Sequence, residues 1–517
     1  MTGSALPPAL AGAVAARLES WRRDGFGRRL LDADPTLWPR PEDAAQRLGW
    51  LRLPEAMPKE LAAIEALAAE VRSEGVEHVV VLGMGGSSLA PEVFEKLLGG
   101  RPGRPRLTVL DSTHPAAVAA HLEAFPAASS LYVVSSKSGT TLETLSFFRT
   151  FWHQTAQGRA GQRFVAVTDP DSALAELARQ RGFRRLFLAP PDVGGRYSAL
   201  SHFGLVPAAL IGADLEQLLA GGREALSRVE EGIELGALLG EAALAGRDKV
   251  TFVADPALAP FVPWLEQLLA ESTGKDGKGL VPVFGEPPAA RFGADRIFVG
   301  LSLAAGGGEA RSGLRALSQA GLPTVATEWP DVAAVGGEMM RWQIATAAAA
   351  AVMDVAPFDQ PDVDSTKRFT RDAMKERSSP AADDPPIVDL ADRMALDGAM
   401  ADWLAGAGDG QSIALQAFLP ATDDVLATLA ALRAQLAATG LATTLGFGPR
   451  FLHSTGQLHK GGPAGTRCLQ LIDRGGPELA IPETDFTYRQ LIDAQALGDA
   501  RALARRGRKV LRLRLGD

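Results

Sequence analysis

Two short stretches gather the residue types that hold a phosphate. In VVVLGMGGSSLAPEVF (79–94) an apolar run ends in Gly83, Gly85 and Gly86, then Ser87 and Ser88, then a helical pattern. Glycines let the backbone approach a ligand closely, and a helix start offers unpaired N–H groups and the positive end of its dipole. In VVSSKSGTTLETL (133–145) a second apolar run delivers Ser135, Ser136, Lys137, Ser138, Thr140 and Thr141 to a helix predicted to begin at Leu142. A helix cap uses one hydroxyl; five of them with an ammonium suit a phosphate monoester dianion. Gly86, Ser87, Ser136, Lys137, Ser138 and Thr141 are therefore the candidate phosphate-binding residues. The first stretch lacks the G-x-G-x-x-G spacing and following acidic residue of a dinucleotide site.

The elements that must position these loops are legible in outline. Residues up to about 75 read as helices, with LAAIEALAAEV (61–71) apolar at helical spacing. HVVVLG (78–83), RLTVLD (106–111), LYVVSS (131–136) and FVAVTD (164–169) are short β-branched runs, each followed by a turn and a helical pattern. That alternation predicts a parallel, doubly wound α/β sheet, whose ligands lie at the carboxyl ends of the strands. It resumes at KVTFVAD (249–255), RIFVGLSL (296–303) and LPTVATEW (322–329). The reading is thus helices over 1–75, a first α/β unit over 76–220, a second over 221–375, a linker at 376–387 and a smaller α/β unit over 388–517. The basic run RGRKVLRLRL near the end reads as a helix end followed by an edge strand.

The 517 residues allow about three folded units. A net charge of −8 gives no reason to expect nucleic acid or an anionic membrane as partner. Cys468 is the single cysteine, which excludes an intrachain disulfide and a thiolate metal cluster. The N-terminus lacks a basic start followed by a long apolar run, so no signal peptide is expected. The nearest candidate for a membrane span, IATAAAAAVMDVAPF, is too short. A reducing cytoplasm is the expected location.

The S-K-S-G-T-T-x-E-T loop, following a G-x-G-G-S loop about fifty residues earlier, is similar to the sugar-isomerase (SIS) fold of phosphosugar isomerases. GGRYSALSHFGL (194–205), ESTGKDGKG (271–279) and PFDQPDVDSTK (357–367) narrow the resemblance to the phosphoglucose isomerase family, in that family's order. It implies reversible aldose–ketose isomerisation of glucose 6-phosphate and fructose 6-phosphate, with a small sugar phosphate as the partner and no cofactor or metal. Glu271 would be the base that moves a proton between carbons 2 and 1, and Arg196 would hold the enediolate charge as it develops. Lys367 would assist ring opening. Lys275 and Lys278 read as structural, and Glu143 as orienting the phosphate loop or favouring its helix dipole.

The family also uses a histidine shortly after the glutamate, yet none lies between Glu271 and Lys367. FLHSTGQLHKGGP (451–463) carries a similar string, so His453 is expected to open the ring, with His459 as its turn neighbour. This region resembles the isomerase half of fused transaldolase–phosphoglucose isomerase proteins; no transaldolase half is expected here. The ordinary family borrows its histidine from a second subunit, so whether His453 acts within its own chain, and whether a homodimer forms, stay open. Two alternatives remain: an isomerase also accepting mannose 6-phosphate, and a sugar-phosphate-binding regulator without catalysis.

Overall fold

A computed structural model describes residues 4–155, 160–287, 291–306, 308–375, 384–475 and 478–515. Most of the expected linker, residues 376–383, lies outside the described residues.

Three parallel sheets carry the described fold. The first has the order β2-β1-β3-β4-β5, from β1 (His78–Gly83), β2 (Arg106–Leu110), β3 (Ser130–Ser135), β4 (Phe164–Thr168) and β5 (Arg185–Leu188). Its strands read as unbroken apolar runs because both faces are covered. Val79, Val81, Leu131, Val133, Val165 and Val167 enter one core, whereas Val80, Leu82, Tyr132, Val134, Phe164 and Ala166 enter the other. The period of two sorts alternate side chains to opposite faces.

The second sheet, β7-β6-β8-β9, is built from β6 (Lys249–Ala254), β7 (Val281–Val283), β8 (Arg296–Leu303) and β9 (Thr324–Trp329). Beside it the alanine run considered as a membrane span forms part of helix Val335–Met353, packed on helix Val229–Leu244. Close approach demands glycine there: a Cβ on Gly236 would sit 2.3 Å from the Ala345 carbonyl oxygen. None of the described helices is long and apolar enough to cross a membrane.

The third sheet, β10-β14-β13-β11-β12, is built from β10 (Ile387–Asp389), β11 (Ser412–Phe418), β12 (Ala442–Phe447), β13 (Thr466–Ile472) and β14 (Lys509–Arg514). Here one expectation is corrected. The basic strand β14 is not an edge, because three-residue β10 pairs with its outer side. Arg512 within it is buried and donates to Gln470 Oε1 at 2.8 Å, and Arg508 just before it is buried and donates to the carbonyls of Lys460 and Gly462.

Strands β5, β7, β10 and β12, which carry no long β-branched apolar run, all lie at sheet edges. Edge strands are short and half-covered, so they lack the long apolar run that betrays a central strand. The third unit closes over the other two. Arg450 pairs with Asp111 at 2.9 Å and with Glu92. Gln457 donates to the carbonyl of Gly274 and to Asp362, at 3.0 and 2.8 Å.

Candidate active site

The candidate side chains sit mostly near strand or helix ends, with Lys367 inside helix Pro361–Lys375. The turn after β3 carries the hydroxyl loop, and helix Leu142–Gln154 begins at its end, with Thr141 as N-cap residue. Thr141 makes no side-chain cap bond; its hydroxyl meets that of Ser136 at 2.9 Å, and Ser138 meets Thr140 at 3.1 Å. Ser136 also accepts from the Gly139 N–H at 3.2 Å and Ser138 from the Thr140 N–H at 3.3 Å, so the hydroxyls order the loop that leads into the helix.

A cavity of about 460 Å³ opens above this helix start, lined by Ser138, Thr140, Thr141, Glu143, Thr366, Lys367, Thr370, Arg371, His453 and Gln495 among others. Of the expected site residues it brings together Ser138, Thr141, Lys367 and His453. Arg196, Glu271, Gly86, Ser87, Ser136 and Lys137 are not in its wall. Lys137 turns its ammonium to Asp169 at 2.6 Å and to the Pro191 carbonyl at 3.1 Å, and burial lowers its pKa. Gly86 instead gives the Arg196 loop room: a Cβ there would lie 2.2 Å from the Gly195 oxygen.

Arg196 and Glu271 form the second cluster. Arg196 is buried and held by four hydrogen bonds and an ion pair. Nε donates to Ser272 Oγ at 2.9 Å, and Nη2 to the carbonyls of Pro357 and Asp359 at 2.5 and 3.0 Å. Nη1 faces Gln360 Oε1 at 3.1 Å and Glu271 Oε1 at 3.2 Å. Lys275 braces the same turn, donating to the Asp359 carbonyl and carboxylate at 2.7 and 3.0 Å. Burial, then the nearby Arg196 guanidinium, bring its pKa down to about 7.

Hydrogen bonds join the two clusters. Gln267, one helical turn before Glu271, donates from Nε2 to Glu271 Oε2 at 3.0 Å and to the His453 carbonyl at 2.8 Å. The His453 ring in turn lies with Nε2 2.9 Å from Glu143 Oε1. Burial pushes the Glu143 carboxyl up, but His453 and Lys367 outweigh it and hold it below its ordinary range. Glu143 therefore addresses the histidine more than the phosphate loop. His459 does not join the site: it contacts Gln416 at 3.1 Å, and burial lowers its pKa to about 3, which keeps it neutral.

Gln267, Gln495, Thr370 and Arg371 were not singled out in the sequence. Amides and a threonine on helices carry no spacing signature; only the one-turn separation of Gln267 from Glu271 hinted at a shared helix face. Among the described residues no group of three or more histidine, cysteine or acidic side chains gathers to hold a metal ion.

A family model for phosphoglucose isomerase matches residues 64–279, which include Arg196 and Glu271 but stop short of Lys367 and His453. The chain is 32% identical over 381 residues to a glucose-6-phosphate isomerase of Rubrobacter xylanophilus, covering 62% of this chain and 88% of that one. It is 34% identical over 298 residues to a glucose-6-phosphate isomerase of Carboxydothermus hydrogenoformans, covering 52% and 62%. Among solved structures, a hypothetical protein from Thermus thermophilus superposes with a TM-score of 0.60 at 26% identity, over 72% of this chain and 99% of that one. A glucose-6-phosphate isomerase from Chlamydia trachomatis superposes with a TM-score of 0.54 at 19% identity, over 65% and 76%, a likeness of fold.

Proposed function

We propose that this chain, which belongs to the phosphoglucose isomerase family, interconverts glucose 6-phosphate and fructose 6-phosphate by moving one proton between carbons 2 and 1. The observation that supports it most is a chain of contacts that brings the groups together: the His453 ring meets Glu143, the His453 backbone carbonyl accepts from Gln267, Gln267 donates to Glu271, and Glu271 pairs with Arg196.

The steps follow from the donors and acceptors present. The phosphate docks on the helix start at Ser138 and Thr141, where the helix dipole favours an anion; Ser136 and Lys137 brace the hydroxyl loop from outside the cavity, and Gly86 and Ser87 shape the turn beside the Arg196 loop. His453 and Lys367, on the wall of the same cavity, open the sugar ring. Ionised Glu143 can only accept, so His453 Nε2 carries a proton and Nδ1 is left to exchange one with the substrate. Glu271 removes the proton from carbon 2 and returns it to carbon 1. Arg196 holds the enediolate charge through Nη1, whose protein partners are side chains able to yield, while its other donors stay fixed on Ser272 and two carbonyls.

The contact between Gln267 and the His453 carbonyl within one chain supports action of His453 in its own subunit. Purified Glu271→Gln and His453→Ala proteins, mixed after each is shown inactive, are expected to stay inactive; recovered activity would mean histidines shared across subunits. A coupled assay of glucose 6-phosphate formation from fructose 6-phosphate, run with and without a chelator, tests the reading itself. Equal activity in both is expected. No conversion, or conversion lost with the chelator, would refute it.

A further inference from the structure

The last long helix, Tyr488–Arg505, reaches the histidine from behind. Gln495, buried in that helix, donates from Nε2 to Glu143 Oε1 at 2.7 Å, the same oxygen that His453 Nε2 approaches at 2.9 Å. Its other end is fixed too: the Thr113 hydroxyl donates to Gln495 Oε1 at 2.6 Å. A carboxylate only accepts, so the NH2 end must face Glu143, and Thr113 enforces that choice.

We propose that Gln495 is a positioning residue. By sharing one carboxylate oxygen with His453 it fixes the turn of Glu143, moderates the charge the imidazole meets, and keeps Nδ1 of His453 toward the cavity. Its kinetic consequence rests on the isomerase reading above.

Docking of the helix does not need this amide. Lys460 and Asp499, both buried, pair at 2.6 Å one turn further along. Gly498 packs against the backbone of helix Pro361–Lys375 so closely that a Cβ would lie 2.7 Å from the Thr370 nitrogen. A side chain hydrogen-bonded at both ends, on a helix anchored elsewhere, is placed to tune its neighbour rather than to hold the fold. Lys367 also acts on Glu143 and Asp111 interacts with His453, while Arg371 lines the same cavity.

The test follows His453 itself. Its ring is titrated by NMR in the full-length wild type, Gln495→Leu, Gln495→Glu and Thr113→Val, with circular dichroism to confirm folding. Without the amide, Glu143 concentrates its charge on the imidazolium, so the His453 midpoint is expected to rise by about one pH unit in Gln495→Leu. It should rise further in Gln495→Glu, which adds a carboxylate, and less in Thr113→Val. The His453 limb of the kcat/KM profile for fructose 6-phosphate should move in parallel. At pH 7, kcat should fall by about tenfold with KM within about twofold. An unmoved midpoint in the folded variants overturns the proposal, including where activity drops, since mere loosening lowers activity without moving the titration. A wild type without isomerase activity would instead refute the reaction, leaving the NMR arm to decide on Gln495.

Discussion

The two halves of the site are held in opposite ways. Arg196 is clamped by four hydrogen bonds and an ion pair, all to residues 271–360. Among the described residues the His453 ring bonds Glu143, and it is governed through that neighbour by Gln495 and Thr113. A group that meets developing charge works best when its dipoles are already oriented. A group that must gain and lose a proton needs a setting that tolerates both states, and an adjustable hydrogen-bonded carboxylate supplies one. The division also follows the chain. The family model spans the first half, whereas the histidine arrives from the unit built on the third sheet.

Substitutions in each half should separate these roles. Glu271→Gln should have the largest effect, lowering kcat by on the order of 10³–10⁴ while sugar-phosphate binding, measured by calorimetry, changes only severalfold. Lys460→Met attacks the frame of the second half by leaving the Asp499 carboxyl buried without its cation. It should cost about 3–5 kcal/mol in denaturant unfolding, where an effect below 1 kcal/mol would show the pair to be dispensable.

Arg196→Lys keeps the charge but loses the fork that reaches Ser272, two carbonyls and Glu271 together. A drop of about 10²-fold in kcat is expected, with little change in KM.

The smallest effect is a pH dependence at the seam between the first and third units. Burial pushes Glu92 up, but Arg450 and Lys96 outweigh it and bring its pKa from 4.5 to about 2. A folded-state pKa lowered in this way adds stability that is complete above 4.5 and disappears as pH falls toward 2. Its contribution is at most about 3 kcal/mol. Glu92→Gln should flatten the stability curve between those limits, and an unchanged curve would show that the Arg450 pairing adds nothing there.

How much could be read in advance follows from sequence distance. The hydroxyl loop, the central strands and the positions of Arg196 and Glu271 are local patterns, a strand end or helix end beside turn residues, and each stood out. The line joining the halves is not local. Gln267 meets the His453 carbonyl across 186 residues, and Gln495 meets Glu143 across 352. No spacing rule announces a glutamine whose partner is in another unit. Glu143 misled for a related reason: a glutamate in the first turn of a helix satisfies the dipole on its own, so nothing in the sequence demanded a histidine partner. The basic terminal strand suggested an edge because charge usually protects edges, but Arg512 is used inside, against Gln470, and Arg508 just before the strand is used against the carbonyls of Lys460 and Gly462 at the end of helix Gly456–Gly461.

The central claim is that one carboxylate, at position 271, carries the proton between adjacent sugar carbons. Glucose 6-phosphate deuterated at carbon 2 tests it most directly, with the label followed by NMR in the fructose 6-phosphate formed. The wild type is expected to pass part of the deuterium to carbon 1 and lose the rest to water, with both processes suppressed together in Glu271→Gln. Undiminished transfer in that variant would contradict the account.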